Sequence, residues 1–422
     1  MFHVTADLHI HSLHSIGVSK NMTIPNMAAC AIEKGISLLG TGDATQPDWL
    51  GHLESTLVSK DDQLVYGDVS FIPTVEIEDW ESIHHVVILP DFEAVHKLRS
   101  VISGKSPNME HEWGGRPRVN MSAEELAGSV RDVGGLIGPA HAFTPFRSIF
   151  REGKYSTLED AYGSETAHIP FLELGLSADS EIADNIPGIR RLTYITSSDA
   201  HSPSPDRLGR EFVVFEMSHP SYSELRKALL RQGDRGPSLN VGLDPRLGKY
   251  YLSFCPKCRR TLVIEEGGGP PSFDQLNIYV RCRDISEKLR LIQDIHKRVV
   301  RCPADGRPLR LGVRDRAILL GEGISKSPDH RPKYLRMPPL LDILRVAFGI
   351  KSRTAKRVKD AYMLLLKTFG DEVEIMTRSS IDQISKIDGR IGTIIELYRN
   401  GSVKYNPGGG GRYGQVIAPW ED

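Results

Sequence analysis

The stretch Asp7-Leu8-His9-Ile10-His11-Ser12 follows the first apolar run of the chain, residues 2–6, which predicts a short strand. His9 and His11 are two positions apart, so on an extended chain both imidazoles leave the same face. Such a pair suits a divalent metal ion, although surface histidines on an ordinary strand are the alternative for this motif alone. Residues of the same ligand types follow later predicted strands: Glu76, His85, His141, Asp199 and His201.

Short apolar runs alternate with helical patterns from residue 1 to about residue 235. A capping box formed by Ser122 and Glu125 marks the start of one of the intervening helices. This alternation predicts an α/β fold, either a parallel barrel or an open sheet. In a barrel, chemistry collects at the carboxyl ends of the strands, where the metal-type residues fall. The predicted strands cover residues 37–40, 69–75, 85–89, 136–138, 171–174, 192–195 and 212–215.

The composition is typical of a soluble globular protein with two or three domains. The 422 residues are 40% hydrophobic and 25% charged, and the formal net charge is -1. We find neither a secretory signal nor an apolar run long enough to cross a membrane, which favours a cytoplasmic protein. Lys and Arg are concentrated between residues 281 and 367, so a near-neutral total is compatible with a local nucleic-acid-binding patch.

A second unit is predicted over residues 250–316, after a linker at residues 232–249 that contains several Gly and Pro. It opens with a Cys-Pro-Lys-Cys knuckle at residues 255–258 and closes with Cys-Pro-Ala-Asp-Gly at residues 302–306. Two such knuckles are typical of a structural zinc ribbon, and a ribbon that has lost its metal is the alternative. The predicted zinc ligands are Cys255, Cys258 and Cys302, with Cys282 or Asp305 as the fourth.

The pattern becomes helical over residues 335–400. Helix, Gly-containing hairpin and helix follow one another twice, which is typical of tandem helix-hairpin-helix elements; a plain helical bundle is the alternative. Hairpin N–H groups and helix N-termini suit the phosphates of a DNA backbone. The Gly-rich residues 401–422 are expected to form a flexible tail. The predicted DNA contacts are the basic residues around the first hairpin: Lys351, Arg353, Lys356 and Arg357.

The N-terminal motifs together resemble the polymerase-and-histidinol-phosphatase (PHP) domain. This resemblance implies a distorted β/α barrel and a two- or three-metal site that hydrolyses phosphoesters. The matching motifs, in the expected order, are the stretch 7–12, Gly40-Thr41-Gly42-Asp43, Val75-Glu76-Ile77-Glu78, His84-His85, Ala140-His141 and Ser198-Asp199-Ala200-His201.

The PHP resemblance also implies the roles of individual residues. Glu76 would bridge two divalent ions, which would be Zn²⁺, Mg²⁺ or Mn²⁺, and Asp199 would orient the attacking water. These two are the implied catalytic residues. The sequence departs from the PHP pattern at Gly17 and Ala44, where a third site would need ligands, and Asp43 or His14 would have to compensate. The implied ligands are His9, His11, Asp43, Glu76, His85, His141, Asp199 and His201.

Over its whole length the chain resembles the endonuclease Q family of DNA repair enzymes. Motifs in all three units carry this resemblance, among them residues 141–145, 172–179, 311–316 and 413–414. It implies a nick on the 5′ side of deaminated bases (uracil, hypoxanthine, xanthine) and of abasic sites, leaving 3′-hydroxyl and 5′-phosphate ends. The partner would be damaged DNA, bound by a monomer that also meets other repair or replication proteins. A pocket for the damaged base would contain Phe143, Phe146 and Glu173.

Two other functions compete with this interpretation. A small-molecule PHP phosphatase would account for the barrel, but it would leave the cysteine unit and the helical repeats without a task. A DNA-binding scaffold with a degenerate site would account for the departures at Gly17 and Ala44. The complete set of ligand-type residues in the first 201 positions counts against the scaffold.

Overall fold

The computed structural model describes residues 1–267, 269–321 and 327–420. None of the helices in these ranges is long and apolar enough to cross a membrane. The helices are α1 Ile24–Lys34, α2 Pro47–Thr56, α3 Phe92–Ile102, α4 Ala123–Asp132, α5 Glu159–Tyr162, α6 Ser180–Asp184, α7 Tyr222–Leu230, α8 Ile285–His296, α9 Val313–Leu320, α10 Leu340–Ala347, α11 Lys356–Phe369, α12 Glu372–Thr377, α13 Ile381–Ile387 and α14 Gly389–Asn400.

The strands of the N-terminal half form one large sheet and several small ones. The strands of the whole described chain are β1 Phe2–Asp7, β2 Leu38–Gly40, β3 Val58–Lys60, β4 Gln63–Tyr66, β5 Val69–Ile72, β6 Thr74–Glu78, β7 His84–Ile88, β8 Leu136–Pro139, β9 Phe171–Glu173, β10 Thr193–Ile195, β11 Phe212–Met217, β12 Gly236–Gly242, β13 Thr261–Glu266, β14 Ser272–Phe273, β15 Asn277–Cys282, β16 Lys333–Arg336, β17 Lys404–Asn406 and β18 Gln415–Ile417.

The N-terminal sheets follow one another around a shared apolar interior. The large sheet has the order β16-β12-β11-β1-β2-β5-β4-β3, and Pro73 leads from β5 directly into the β6-β7-β8 sheet. The β9-β10 pair continues this arrangement, because the Ala142 N–H after β8 donates to the Glu173 carbonyl of β9. The Asn240 amide of β12 then donates to the Tyr194 carbonyl of β10 (3.1 Å). The predicted α/β architecture is confirmed.

Strand directions in this half are mixed. Residues 79–83 alone separate β6 from β7, which is too short for the crossover that a parallel pair requires, so the two strands are antiparallel. Their register pairs Glu76 with Val86 and Glu78 with His84. Side chains alternate across a strand, so this register decides which of two adjacent histidines lies on the same face as Glu76.

Two stretches that the sequence presented as connections form regular structure. β12 lies inside residues 232–249 and pairs with both β11 and β16, so this stretch is not a linker over its whole length. The glycine-rich tail is ordered up to residue 420, with residues 421–422 outside the described part. It packs against the cysteine unit: a Cβ on Gly410, which has φ +60°, would collide with the Arg259 carbonyl oxygen. These glycines therefore serve close backbone approach and not flexibility.

The cysteine unit contacts the N-terminal α/β part next to its long loops. Its core contains Leu262, Ile278 and Ile292, from β13, β15 and α8. Arg316 of α9 is almost fully buried, and its guanidinium donates to the carbonyls of Phe150 and Tyr155 (3.1 Å each). These two residues belong to the segment that follows His141, so the cysteine unit supports this segment.

The helical C-terminal region is joined to the N-terminal α/β part by a buried ion pair. Lys34, at the end of α1, donates to Glu372 Oε1 of α12 (2.6 Å) and to the Pro205 carbonyl (3.0 Å). Both charged side chains are at most 1% exposed. Glu372 also accepts hydrogen bonds from the Leu340 N–H (2.8 Å) and the Tyr362 hydroxyl (3.2 Å). The confirmed helical C-terminal region is thus joined to the N-terminal α/β part through a satisfied polar network.

We predict that Lys34→Met lowers the free energy of unfolding by about 3–5 kcal/mol, because it leaves the Glu372 carboxylate buried without a cation. The double variant Lys34→Met/Glu372→Gln should recover much of this loss, since glutamine keeps an acceptor for Leu340 and Tyr362 but carries no charge. Urea denaturation of the three proteins measures the difference. Equal destabilisation in the single and double variants would contradict the role given to this pair.

Candidate active site

Two groups of metal-ligand residues meet at the strand ends around Glu76. Within each group, one ligand atom from every residue lies within 4.8 Å of the others. Glu76 Oε1 is 2.7 Å from His84 Nδ1 and 3.0 Å from His141 Nε2. The same oxygen is 3.6 Å from His9 Nε2, so Glu76 connects both groups. The groups are His9, His11 and Asp199, and Glu76, His84 and His141.

The histidines of the first group are held by carboxylates behind them. His9 Nδ1 donates to Glu173 Oε2 (2.9 Å), and His11 Nδ1 donates to Asp43 Oδ1 (3.1 Å). The Nε2 atoms of both rings are buried and make no hydrogen bond within the described residues. A carboxylate that binds one ring nitrogen fixes the tautomer whose other nitrogen carries a free lone pair, which is the usual arrangement of a metal-binding histidine. These residues therefore fit a divalent cation.

The charges of the site require a positive partner. Burial alone would lower the pKa of His9, but Glu173, followed by Glu76, raises it to about 9. Burial likewise opposes protonation of His11, yet Asp199 and Asp43 raise its pKa well above the usual value. The carboxylates thus hold protons on rings that burial would otherwise keep neutral. A divalent cation supplies the same positive charge while the imidazoles stay neutral.

Backbone strain is concentrated in the same residues. Asp43, His141 and Asp199 have φ values of +50°, +29° and +48°, a region that non-glycine residues rarely adopt. The Asp199 N–H donates to the His9 carbonyl (2.8 Å), and Asp7 accepts from the Ser198 N–H (2.9 Å). These bonds hold the end of β1 against the loop after β10. Strained residues held in this way are typical of functional sites.

The structure corrects the choice between His84 and His85. His85 lies on the opposite face of β7, where its Nε2 is 3.1 Å from Asp79 Oδ2 and its Nδ1 is 2.7 Å from the Tyr162 hydroxyl. His84 is the residue that faces Glu76. The sequence prediction assigned His84 and His85 to the wrong faces of the strand. The β6–β7 turn, which sets the register, was not identified.

Asp43 and His201 lie beside the two groups without joining them. Both Asp43 oxygens accept local hydrogen bonds: Oδ1 from His11, and Oδ2 from the Ser12 N–H and hydroxyl (2.7 Å each). Asp43 therefore orients His11 and does not face the space between the ligands. His201 stacks edge-on against His11 at 4.9 Å, and its Nδ1 is bonded to the Asp199 carbonyl oxygen. His14 contacts the Glu112 carbonyl, away from the cluster. Neither Asp43 nor His201 forms a further ligand group at these strand ends among the described residues.

Of the three residues predicted to contact a base, only Phe146 is available. Phe143 is buried in the core beside Phe150, and Glu173 is buried behind His9. Both assignments are corrected, because neither side chain reaches the mouth of the site. Phe146 is 65% exposed on the loop after His141, and its ring is 5.8 Å from that of Tyr250.

Arg116 was not identified from the sequence. Its Nη1 donates to Glu76 Oε2 (3.0 Å), which brings a guanidinium to the residue shared by both ligand groups. Arg116 lies on the long loop between α3 and α4, and no local motif marks it. A loop arginine of this kind becomes recognisable only once the loop is folded over the strand ends.

The cysteine knuckles form a third ligand group. Cys255, Cys258, Cys302 and Asp305 converge, with Cys255 Sγ 3.3 Å from Asp305 Oδ2 and Cys258 Sγ 3.6 Å from Cys302 Sγ. The Arg307 N–H donates to Asp305 and lowers the pKa of this carboxyl to about 2. Cys282, at the end of β15, does not belong to the group. The structure thus selects Asp305 as the fourth residue.

The four predicted DNA contacts differ in their surroundings. Lys351 and Lys356 are exposed and unpaired among the described residues, and Arg357 is exposed with its guanidinium 4.2 Å above the Phe348 ring. Arg353 instead donates to Asp342 of α10 (2.8 Å) and to Asp206 in the loop after His201 (3.1 Å), so it joins the helical region to this loop. A groove lined by Ser204, Lys351 and Lys359 runs between the loop after His201 and α11.

Relatives of this chain occur in archaea and bacteria. Residues 339–402 match the family model of the MJ0043 C-terminal domain. The uncharacterized protein MJ0043 of Methanocaldococcus jannaschii is 32% identical over 302 residues, which are 70% of this chain and 33% of that protein. This chain thus spans about a third of the length of that relative. The uncharacterized protein YqxK of Bacillus subtilis is 27% identical over 437 residues, covering 98% of this chain and 99% of YqxK.

Two solved structures resemble the whole chain. The lesion-specific endonuclease EndoQ from Pyrococcus furiosus has a TM-score of 0.86 and 39% identity, covering 100% of this chain and 96% of that one. Endonuclease Q in complex with a 27-mer duplex substrate, with an abasic lesion at the active site, has a TM-score of 0.84 and 38% identity, covering 100% and 98%. Because this identity extends over nearly the full length of both chains, the chain belongs to the endonuclease Q family.

Proposed function

We propose that this chain is a metal-dependent DNA repair endonuclease that cuts the phosphodiester 5′ of a deaminated base or abasic site. The cut leaves 3′-hydroxyl and 5′-phosphate ends. The observation that carries this proposal is the pair of ligand groups joined by Glu76, in a chain that is similar over its full length to an endonuclease Q bound to lesion-bearing DNA. DNA is accordingly the proposed substrate, and uracil, hypoxanthine and xanthine are the proposed deaminated bases.

Each residue of the site has a separate role in the proposed reaction. Bound divalent ions would supply a nucleophilic hydroxide and neutralise charge on the phosphate. His9, His11, His84 and His141 offer nitrogen ligands, and Glu76 contacts both groups. Asp199 is the most exposed carboxylate of the cluster, at 33%, and its Oδ atoms can accept the proton of the attacking water. Arg116 has donors beyond the one used by Glu76 and can bind a non-bridging phosphate oxygen.

The first helical repeat, which consists of α10, α11 and the hairpin between them, is proposed to bind the DNA backbone. α11 begins after Ala355 without a side-chain cap, so its first N–H groups are free to bind a phosphate. α14 of the second repeat differs, because the Asp388 carboxylate already accepts from Arg390 N–H (2.9 Å). A negative cap repels phosphate. The proposed DNA contact is therefore the first repeat, with Lys351, Lys356 and Arg357, and not both repeats equally.

Phe146 is the proposed contact for the bases at the lesion. It lies five residues after His141, and an exposed aromatic ring supported by Tyr250 can stack on an unpaired base. Its neighbour Arg147 forms an ion pair with Glu78, which fixes the loop against β6. Stacking alone does not distinguish uracil from cytosine, so the edge of the base must be read by other groups.

The proposed reaction predicts a single nick 5′ of the lesion. Labelled duplexes that differ only in uracil against cytosine, or hypoxanthine against adenine, should show cutting of the deaminated member of each pair. End analysis should give a 3′-hydroxyl and a 5′-phosphate, because attack at phosphorus expels the 3′ oxygen. A phosphomonoester assayed in parallel tests the alternative of a small-molecule phosphatase. Turnover of that substrate with no nicking would reject the endonuclease.

The register of β7 predicts different results for adjacent histidines. His84→Ala should lower both the bound metal and the nicking rate, the latter by about 100-fold or more, because it removes a nitrogen ligand facing Glu76. His85→Ala removes contacts with Asp79 and Tyr162, so it should lower the melting temperature while the folded protein retains its metal. Metal analysis and nicking assays on folded fractions distinguish the two. If His85→Ala lost its metal while His84→Ala retained it, this assignment would be contradicted.

The cysteine group is proposed to hold a structural zinc ion. Cys258→Ser and Asp305→Ala should each release zinc and lower the melting temperature, since a structural zinc contributes several kcal/mol to folding. Cys282→Ser is the matched control, because this thiol lies outside the group and its loss should leave the zinc content unchanged. Zinc retained by Asp305→Ala but lost from Cys282→Ser would reverse the choice of fourth ligand.

The proposed backbone contacts predict the salt dependence of DNA binding. Lys356→Ala should reduce the slope of log K against log salt by about 1 and weaken binding to all sequences alike. Lys386→Ala removes an equally exposed lysine from the second repeat and should leave the slope unchanged. Fluorescence anisotropy over a salt series measures both. An equal reduction of the slope in the two variants would mean that the DNA contacts are not confined to the first repeat.

A further inference from the structure

A second cavity lies at the opposite ends of the strands that carry the catalytic residues. Its volume is about 310 Å³, and the starts of β8 and β9 line it, at Leu136 and Pro170. His141 follows the other end of β8, and Glu173 closes β9. A strand rises about 3.3 Å per residue, so roughly 16 Å along β8, from Leu136 to His141, and roughly 10 Å along β9, from Pro170 to Glu173, separate the cavity from the active site. This cavity is distinct from the proposed metal centre.

Arginines dominate the polar lining of this cavity. They are Arg131, Arg191, Arg226 and Arg231, with His168 beside them, and none of the described lining residues is acidic. Glu165, outside the lining, neutralises Arg131 at 3.0 Å. The other three arginines form no ion pair with a carboxylate of the described residues, and the charge of Glu159 acts on Arg191 only from beyond ion-pair distance. A group of cations thus surrounds a space with little compensating charge.

The hydrogen bonds of the unpaired arginines hold them in position but do not neutralise them. Arg191 donates to the carbonyls of Ile169 and Thr166, and Arg231 donates to the Thr193 hydroxyl and the Arg191 carbonyl. Burial lowers the pKa of both guanidinium groups, which reflects the cost of keeping these charges without an anion. Arg226, on α7, makes no hydrogen bond or ion pair with any described residue.

The remaining wall is apolar. Ile137 and Ile169 contribute to it from the strand ends, and Leu229 contributes from α7. A guanidinium fork matches the oxygens of a phosphate, and the apolar wall suits a planar or aliphatic body attached to that phosphate. The volume lies at the lower end of small-molecule sites, which is the size range of a mononucleotide. A duplex backbone offers phosphates but is too wide to enter such a space.

We propose that this cavity binds a nucleoside monophosphate or diphosphate, with its phosphate on Arg191, Arg226 and Arg231 and its base against the apolar wall. This site is separate from the proposed nuclease reaction and does not rest on it. The strands β8 and β9 run from this cavity to His141 and Glu173. A ligand in the cavity therefore contacts the same two strands that position these residues of the proposed active site.

Calorimetric titration of the full-length, metal-loaded protein tests this site. AMP should bind, inorganic phosphate should bind more weakly, and adenosine should not bind. Arg226→Gln should weaken AMP binding by about tenfold, the loss of one charge-assisted hydrogen bond, without a change in melting temperature. Lys60→Gln, which removes an exposed charge from β3, is the matched control and should bind AMP like the wild type.

Two results would overturn the proposal. Equal AMP affinity in the wild type and Arg226→Gln would mean that AMP binds elsewhere, for example at the metal centre. Failure of AMP to bind the wild type, together with weaker binding of an undamaged duplex by Arg226→Gln, would mean that the arginines hold DNA phosphates. Nicking of a uracil duplex by Arg226→Gln should stay within about twofold of the wild type, so a failure of this proposal is distinguishable from a failure of the nuclease.

Discussion

The buried carboxylate–imidazole pairs behind the first ligand group determine the rest of the site. Glu173 at the end of β9 holds His9, and Asp43 after β2 holds His11. Each pair connects the stretch after β1 to the end of a different strand, so the rings are oriented only when the strands around them are in place. Without a cation, the same carboxylates force protons onto the rings. Folding and metal affinity therefore depend on the same contacts.

Much of the site could be predicted because its ligands are short motifs at strand ends. The spacing of His9 and His11 is a local property of an extended chain, and the confirmed α/β alternation brings strand ends together. The sequence around His84 and His85 does not determine which of the two side chains faces Glu76. That depends on the length of the β6–β7 turn, and a shift of one residue exchanges the two faces of a strand.

Other errors arose where composition was interpreted without tertiary contacts. The stretch 232–249 contains Gly and Pro, yet β12 is held there between β11 and β16. The glycines of the tail suggested flexibility, but Gly410 allows close packing against Arg259. Asp305 and Cys282 were equivalent candidates in the sequence, and only the folded knuckles show which one lies beside Cys255. In each case the deciding contact is distant along the chain.

The three units converge on the loops that surround the candidate active site. Arg316 of the cysteine unit binds the carbonyl of Phe150, in the segment after His141. Arg353 of the helical C-terminal region binds Asp206, in the loop after His201. The loop after His141 and the loop after His201 are thus each fastened to a different part of the chain. Such contacts restrict the loops on which the candidate ligands His141 and Asp199 lie. The cysteine unit and the helical region therefore contribute to the geometry of the candidate ligand groups, so the N-terminal α/β part alone would be an incomplete description of the site.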